Sequence, residues 1–358
     1  MKRLHLLSFL FLTSGFWSCA THGCASSGLN PSFCSAQDLT IHHIDVGQSD
    51  CTFIETHSKT ILVDAGNSSK GTSVVIPYLR SLRVTRINYV IASHYHADHI
   101  GGLDEVLDAF DVDTVFDRGT VHPVPKSKIY DSYEKAVGNT PRVTVQPSTK
   151  YELGHCIVLR FVASDGSCEE EGPTVTDPVT KSRIDENSLS IAFTVTFTDT
   201  ESQSTTDPEL RTHFTYFTGG DLTGYDDRDA IDLETSVASL VGHADAMKVN
   251  HHGSRSSTNQ TFISALSPAS VFISLGRNNS YGHPSPEVIS RLHQVPTIRW
   301  IYQTEGNTTV TPKQKIVGTS VLRFYAKRDS SYFTVEWNAM GKHVDRYRCN
   351  YLRSGAAP

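Results

Sequence analysis

Apolar residues along this chain come in short runs at strand spacing, and most of these runs close on a cluster of polar residues. Ile41 to Val46, Cys51 to Thr56 and Thr60 to Val63 read as strands around the turn Gly47-Gln48-Ser49-Asp50, the last closing onto Asp64-Ala65-Gly66. Tyr89-Val90-Ile91-Ala92 predicts a buried strand, with a helix over Val74 to Leu82 leading into it. Ile100, Leu103, Val106, Leu107 and Phe110 then recur at helical spacing, which predicts an amphipathic helix. A strand at Thr114 to Phe116, a helix near Tyr130 to Val137 and a hairpin arm over Tyr151 to Val162 follow. The second half predicts strands starting at Asn187 and running to Phe193, then His213 to Thr218, Ala246 to Val249 and Ser270 to Leu275. It closes with a helix over Pro286 to His293 and strands around Arg299 to Thr304, Ser320 to Ala326 and Tyr332 to Trp337. Asp165 to Arg183 and Thr200 to Pro208 have little to bury and read as a long exposed loop and a polar turn.

The densest polar cluster is Ser93-His94-Tyr95-His96-Ala97-Asp98-His99-Ile100-Gly101-Gly102, directly after the apolar run at Tyr89. Imidazole and carboxylate are ligands for zinc, iron and manganese, and alternate spacing turns His94 and His96 to one side. Asp98 and His99 face another. The loop therefore reads as two neighbouring metal positions, set between a strand end and a helix start, with the glycines letting the turn pack closely. Other strand ends carry ligand-type residues too: Asp64, Asp221, the pair His251-His252, and the loop from Asn278 to His283. Groups at the carboxyl ends of strands in an α/β sheet converge on one crevice, so this recurrence argues for a single shared site. Asp221, after Gly219-Gly220, is a carboxylate able to bridge two cations. His122, His155 and His213 read as ordinary polar or packed histidines, and His57 and His293 carry no signal.

The chain has 358 residues, is 38% hydrophobic and carries a net charge of −6. That size suits one large α/β sandwich, and the charge provides no broad basic field for gripping a duplex, so an extended DNA-binding surface is not expected. Met-Lys-Arg, the short apolar run Leu6 to Leu12 and small residues around Ser18-Cys19-Ala20 predict a signal peptide over 1–20. The apolar run is shorter than the about twenty residues a membrane span needs. A lipid-anchored Cys19 is the competing reading, and the bulky Phe16 and Trp17 argue against it. A flexible segment over 21–37 and a folded domain over 38–358 would follow. Cleavage leaves Cys24, Cys34, Cys51, Cys156, Cys168 and Cys349, which an oxidising compartment would allow to pair.

The His-x-His-x-Asp-His segment resembles the signature of metallo-β-lactamase-fold hydrolases. His42 to Asp50 with Ile61 to Gly66, Tyr216 to Leu222, Met247 to Ser254 and Asn278 to Val288 resemble one branch of them, the hydrolase domain of ComEC-type competence proteins. The likeness spans about residues 40 to 305, and Ser49 stands where that branch usually carries glycine. It implies an αββα sandwich, a metallo-β-lactamase fold in a single catalytic α/β domain, here without the transmembrane channel of the competence proteins.

The chemistry and the resemblance together imply two divalent ions, zinc in the first instance, with manganese or iron as alternatives. His94 and His96 would hold the first, Asp98 and His99 the second, and Asp221 would bridge. One of His251 and His252 would complete the second metal, with His252 preferred and His251 facing the substrate. The third ligand of the first metal has no obvious equivalent, Asp185 and Asn187 lying where it should be. Asp98, His251 and His283 would be the catalytic groups. The implied function is an exported, periplasmic or secreted, metal-dependent phosphodiesterase, nuclease-like on single-stranded nucleic acid. The alternatives are a phosphocholine or teichoic-acid type phosphodiesterase and a binding protein with a vestigial metal site.

Overall fold

Runs rich in Ile, Val, Phe and Thr pair into two mixed sheets. A computed structural model describes residues 39–154, 156–168, 184–198, 213–227, 229–306, 311–326, 331–338 and 342–349. The expected leader and tether at 1–37, His155, most of the 165–183 loop and the 200–208 turn lie outside those residues. In chain order the first strands are β1 (Leu39–His43), β2 (Thr52–Thr56), β3 (Thr60–Val63), β4 (Arg86–Ile91), β5 (Asp111–Asp117) and β6 (Arg142–Thr144). Then come β7 (Lys150–Glu152), β8 (Ile157–Ser164), β9 (Ser167–Cys168), β10 (Ala192–Thr198), β11 (His213–Thr218) and β12 (Ala246–Lys248). The last are β13 (Ser270–Ile273), β14 (Trp300–Gln303), β15 (Gln314–Ile316), β16 (Ser320–Tyr325), β17 (Tyr332–Trp337) and β18 (His343–Arg348).

The first sheet runs β18-β17-β16-β1-β2-β3-β4-β5-β6, and the second β15-β14-β13-β12-β11-β10-β8-β7 with β9 paired to β8. Three apolar layers interleave with them. Leu39, Ile41 and Ile61 of the first sheet meet Phe161, Phe193 and Phe214 of the second in a central core. Val75, Leu79, Leu103, Val106 and Tyr133 cover the outer face of the first sheet, while Val237, Phe262, Ile263, Val288 and Leu292 cover that of the second. Helix, sheet, sheet, helix is the αββα sandwich that the resemblance implied. Within the first sheet β3, β4 and β5 are parallel, and within the second β11 to β14 are parallel. Their carboxyl ends therefore carry the residues following Val63, Ile91, Thr218, Lys248 and Ile273.

Several elements differ from expectation. The helix after the His94 loop is divided into α1 (Ala97–Ile100) and α2 (Leu103–Ala109) by Gly101 and Gly102. The strand expected to begin at Asn187 begins at Ala192, and Glu186–Leu189 forms a 3-10 turn. There the Ser188 hydroxyl bonds the Thr223 hydroxyl at 2.7 Å, a side-chain contact that competes with strand pairing. The helix Gln260–Leu266, capped by Asn259, and the edge strand β18 were not foreseen. Asp165 does not start an exposed loop but turns β8 back into β9.

A methyl group on Gly101 would lie 2.3 Å from the Ala97 carbonyl oxygen and 2.5 Å from the Ser68 amide, both backbone atoms unable to yield. Gly101→Ala is expected to cost about 1–3 kcal/mol of stability by overpacking. Denaturant unfolding checks this, and an unchanged midpoint would contradict it.

Candidate metal centre

Asp221 stands at the meeting point of both sheets. Its carboxylate, 2% exposed, lies with Oδ1 3.3 Å from His99 Nε2 and Oδ2 4.0 Å from His94 Nε2. The same Oδ2 is 3.7 Å from His251 Nε2 and 3.7 Å from His252 Nε2. Asp98 Oδ2 approaches His252 Nε2 at 3.3 Å, and His96 Nδ1 lies 3.0 Å from His94 Nε2. Ligand atoms of Asp98, His99, Asp221 and His252 all fall within 4.8 Å of one another. Four of the six residues nominated as metal ligands form that group, and His94 and His96 lie beside it, His94 Nε2 facing Asp221 and His96 facing His94.

The imidazoles are aimed by bonds on their far sides. His99 Nδ1 donates to Asp64 Oδ2 at 2.7 Å, so its Nε2 points at Asp221. His252 Nδ1 donates to the Ser274 carbonyl at 2.7 Å, so its Nε2 points at Asp98 and Asp221. Ser93 ties the strand ends together, donating its amide and hydroxyl to Asp64 while its Oγ lies 3.1 Å from His94 Nδ1. Such outer bonds fix which ring nitrogen carries the proton and which carries the lone pair. His99 Nε2, His252 Nε2 and Asp221 Oδ1 are buried yet form no well-aligned hydrogen bond. Buried polar atoms are rarely left so, and their convergence fits a divalent cation.

Electrostatics point the same way. Burial raises the Asp221 carboxyl, but His99 and His252 outweigh it and hold it well below the usual carboxylate range. Burial also raises Asp98, yet His252 and His99 bring it down to about 2. Both groups are anionic near neutral pH, and a cation bound there would displace the protons that the imidazoles otherwise take up.

The surrounding elements brace the cluster. Glu186 accepts from the Tyr95 amide at 2.8 Å, between His94 and His96, and from Arg118 Nε and Nη2 at 2.8 and 2.7 Å. Arg118 is fully buried and lies over the Tyr95 ring. Glu234 accepts from Asn250 Nδ2, Thr258 N and Asn259 N, at 2.7, 2.5 and 2.7 Å, and so holds the turn that bears His251 and His252. Asn279 accepts from the His283 amide and donates to the His283 and Gly276 carbonyls, closing the loop that presents His283. That imidazole stacks on exposed Tyr281 and lies 5.6 Å, centroid to centroid, from His251. Burial, then His251 and His252, lowers its pKa to about 4. Ser49, where the branch that the sequence resembles usually carries glycine, donates to the Gln48 carbonyl and accepts from Asn67 Nδ2.

One expectation differs from the structure. His252 was preferred as the inward ligand with His251 facing the substrate, but they lie on a turn with φ of 49° and 51°, and both reach Asp221. His251 is thus not simply turned to the substrate side. Lys248, the last residue of β12, is buried in an ion pair with Asp50. Asn187 is buried with its Oδ1 unbonded among the described residues, and Asp185 lines a groove. His122 pairs with Asp165, and His213 bonds Thr215. Sequence reasoning missed Asp50, Arg118, Glu186 and Glu234, whose side-chain partners Lys248, Glu186, Arg118 and Asn250 are distant in the chain.

A groove of about 1980 Å³ opens beside His96. Among the described residues its lining includes Asp185, Glu186, Asp226, Asp227, Asp229 and Glu287 against Lys126, Arg255 and Arg291. Cys156 is disulfide-bonded, and Cys51 and Cys349 are buried thiols. No helix among the described residues is long and apolar enough to cross a membrane.

A family model described as Metallo-beta-lactamase superfamily matches residues 44–172. ComE operon protein 3 of Bacillus subtilis is 25% identical over 319 residues, which are 84% of this chain and 36% of that protein. Recombination protein 2 of Haemophilus influenzae is 25% identical over 255 residues, 70% of this chain and 26% of that protein. Ribonuclease J of Synechocystis is 28% identical over 130 residues, 34% of this chain and 20% of that protein. The chain spans about a third or less of the length of these relatives.

Burial raises the Glu234 carboxyl from 4.5 to about 7 against the pull of its three donors. Between those values the native state holds a proton that the unfolded chain has released, so stability falls as pH rises through that window. Glu234→Gln removes this dependence. The stability advantage of the parent over the variant is expected to shrink by about 3 kcal/mol from pH ~4 to pH ~8, read by denaturant unfolding at both. A constant difference would refute the assignment.

Proposed function

We propose, from the premise that this chain carries a metallo-β-lactamase domain, that it is a metal-dependent phosphodiesterase with two ions held around Asp221. The convergence of two ligand sets on that one buried carboxylate carries the reading. His94 and His96 would hold one ion, with His251 as the third nitrogen that the sequence did not supply. Asp98, His99 and His252 would hold the other, and Asp221 would serve both. Imidazole and carboxylate favour zinc, with manganese or iron also matched. Ions bound there would polarise a phosphoryl oxygen and lower the pKa of a water between them toward ~7.

The remaining chemistry falls to this chain's own side chains. Asp98 Oδ2, shared between a ligand role and the approach from His252, is suited to orienting the attacking water. His283 is half-buried beside exposed Tyr281, its Nδ1 buried and unbonded among the described residues, and as a neutral imidazole it is suited to hydrogen-bonding a phosphoryl oxygen. Relatives named for ribonuclease activity and recombination support a nuclease-like substrate. The groove favours a second reading: its carboxylates would repel a bare polyanion and suit a phosphodiester bearing a cationic group, such as a phosphocholine ester. Export is part of the proposal, supported by the disulfide at Cys156.

Purified protein should contain about two transition-metal ions per chain, and Asp221→Ala should lose metal and hydrolysis of bis-p-nitrophenyl phosphate together. Normal metal content in that variant would remove Asp221 from the bridge. His251→Ala should also be metal-depleted, whereas His283→Ala should keep its metal and lose about a hundredfold in kcat, or ~3 kcal/mol. Faster turnover of single-stranded DNA than of p-nitrophenyl phosphocholine would select the nuclease reading, and the reverse order the second. Cell fractionation with non-reducing peptide mapping tests export: cytosolic recovery with a reduced Cys156 would contradict it.

A further inference from the structure

Beneath the proposed centre lies an ion pair outside the proposed ligand set. Lys248, the last residue of β12 and 1% exposed, places Nζ 2.6 Å from Asp50 Oδ2. The same ammonium donates to the Gly220 and Val249 carbonyls, each at 3.1 Å. All three of its protons are therefore used, and none faces water.

Each contact reaches a ligand segment. The Gly220 carbonyl belongs to the peptide leading into Asp221, and it also accepts from the His251 amide at 3.1 Å. Val249 precedes the turn bearing His251 and His252, whose left-handed φ angles are uncommon outside glycine. Asp50 lies on the turn between β1 and β2, in the opposite sheet, and its amide donates to the Asp98 carbonyl at 3.0 Å. One salt bridge thus links the backbones of Asp98, Asp221 and His251 across the seam between the sheets.

Stability alone accounts poorly for such a pair. Burying two charges costs several kcal/mol per ion before their attraction repays it, and packed apolar residues often serve as well or better. Charge offers a second reason. Asp50, Asp64 and His99 present ligand atoms within 4.8 Å of one another, a cluster that could itself attract a cation. The Lys248 ammonium already occupies its Asp50 side.

We infer that Lys248 and Asp50 form an internal clamp that positions Asp221, Asp98 and the His251-His252 turn for metal binding, with the ammonium standing in for a further cation beneath the centre. Both are positioning residues. The inference rests on the reading that Asp221 and its neighbours hold metal.

The test compares the parent with two charge-free pairs, Lys248→Met with Asp50→Asn and Lys248→Gln with Asp50→Asn, by chelator-competition metal affinity and metal-free melting. Removing both charges avoids stranding one buried ion. The expected result is metal-free melting near that of the parent with affinity for divalent zinc 10–100-fold weaker, in the range that outer bonds to ligands supply. Either folded pair binding two zinc ions at parental affinity would overturn the clamp. Failure of both to fold would overturn it too, by assigning the pair to folding itself. A parent that binds no divalent ion would instead sink the metal-centre reading, which is a separate outcome.

Discussion

A carboxylate buried among imidazoles is the constraint that the histidine-bearing strand ends of this molecule are built to meet. Asp221 is withdrawn from water at the joint of two sheets, and an unpaired charge in that position is too costly to retain. It is met by His94, His99, His251 and His252, drawn from strand ends in both sheets. Those histidines in turn need fixed orientations, which Asp64, Ser93 and the Ser274 carbonyl provide. Each layer of polar groups transfers its requirement outward until it reaches backbone or the buried pairs Lys248–Asp50 and Arg118–Glu186. The sandwich fold makes this economical, since parallel strands from both sheets end at one crevice.

The close packing around the ligand loop follows from the same demand. Ser93 can reach Asp64, His94 and His99 only if the chain from β4 turns tightly into two short helices. Gly101 and Gly102 permit it, because a side chain at either would strike the backbone of the loop following β3. Glu186 secures the other flank from a segment nearly a hundred residues away, gripping the Tyr95 amide while Arg118 neutralises its charge. Tyr95 faces the apolar side, under that guanidinium, so the alternation that turns His94 and His96 toward the centre is pinned from behind.

What could be read from the sequence follows the range of the interactions concerned. The strand runs before Asp64, His94 and Asp221 are local patterns, and so is the spacing of His94, His96, Asp98 and His99; all were legible. Glu234 and Lys248 were not, because a buried glutamate in a helix and a lysine at a strand end look like solvated residues until their partners, Asn250 and Asp50, are brought from elsewhere. The strand expected at Asn187 failed for a related reason: the Ser188 hydroxyl finds Thr223, a partner that the local apolar pattern does not contain. The expected division between His251 and His252 failed because left-handed backbone at both residues turns both rings to the same carboxylate.

That turn bears on substrate choice as well as on metal. With His251 drawn to Asp221, His283 is the imidazole left facing the rim, backed by exposed Tyr281. A centre that grips long polyanions ordinarily surrounds itself with lysine and arginine to track successive phosphates. Here the buried Lys248 is turned inward to Asp50, and among the described residues the charged lining of the groove beside His96 holds more carboxylates than cations. Binding energy for a phosphodiester would then come largely from the metal-ligand cluster itself, acting on a single phosphoryl group. The flanking groove would select through what the rest of the substrate carries, penalising added negative charge and rewarding positive charge.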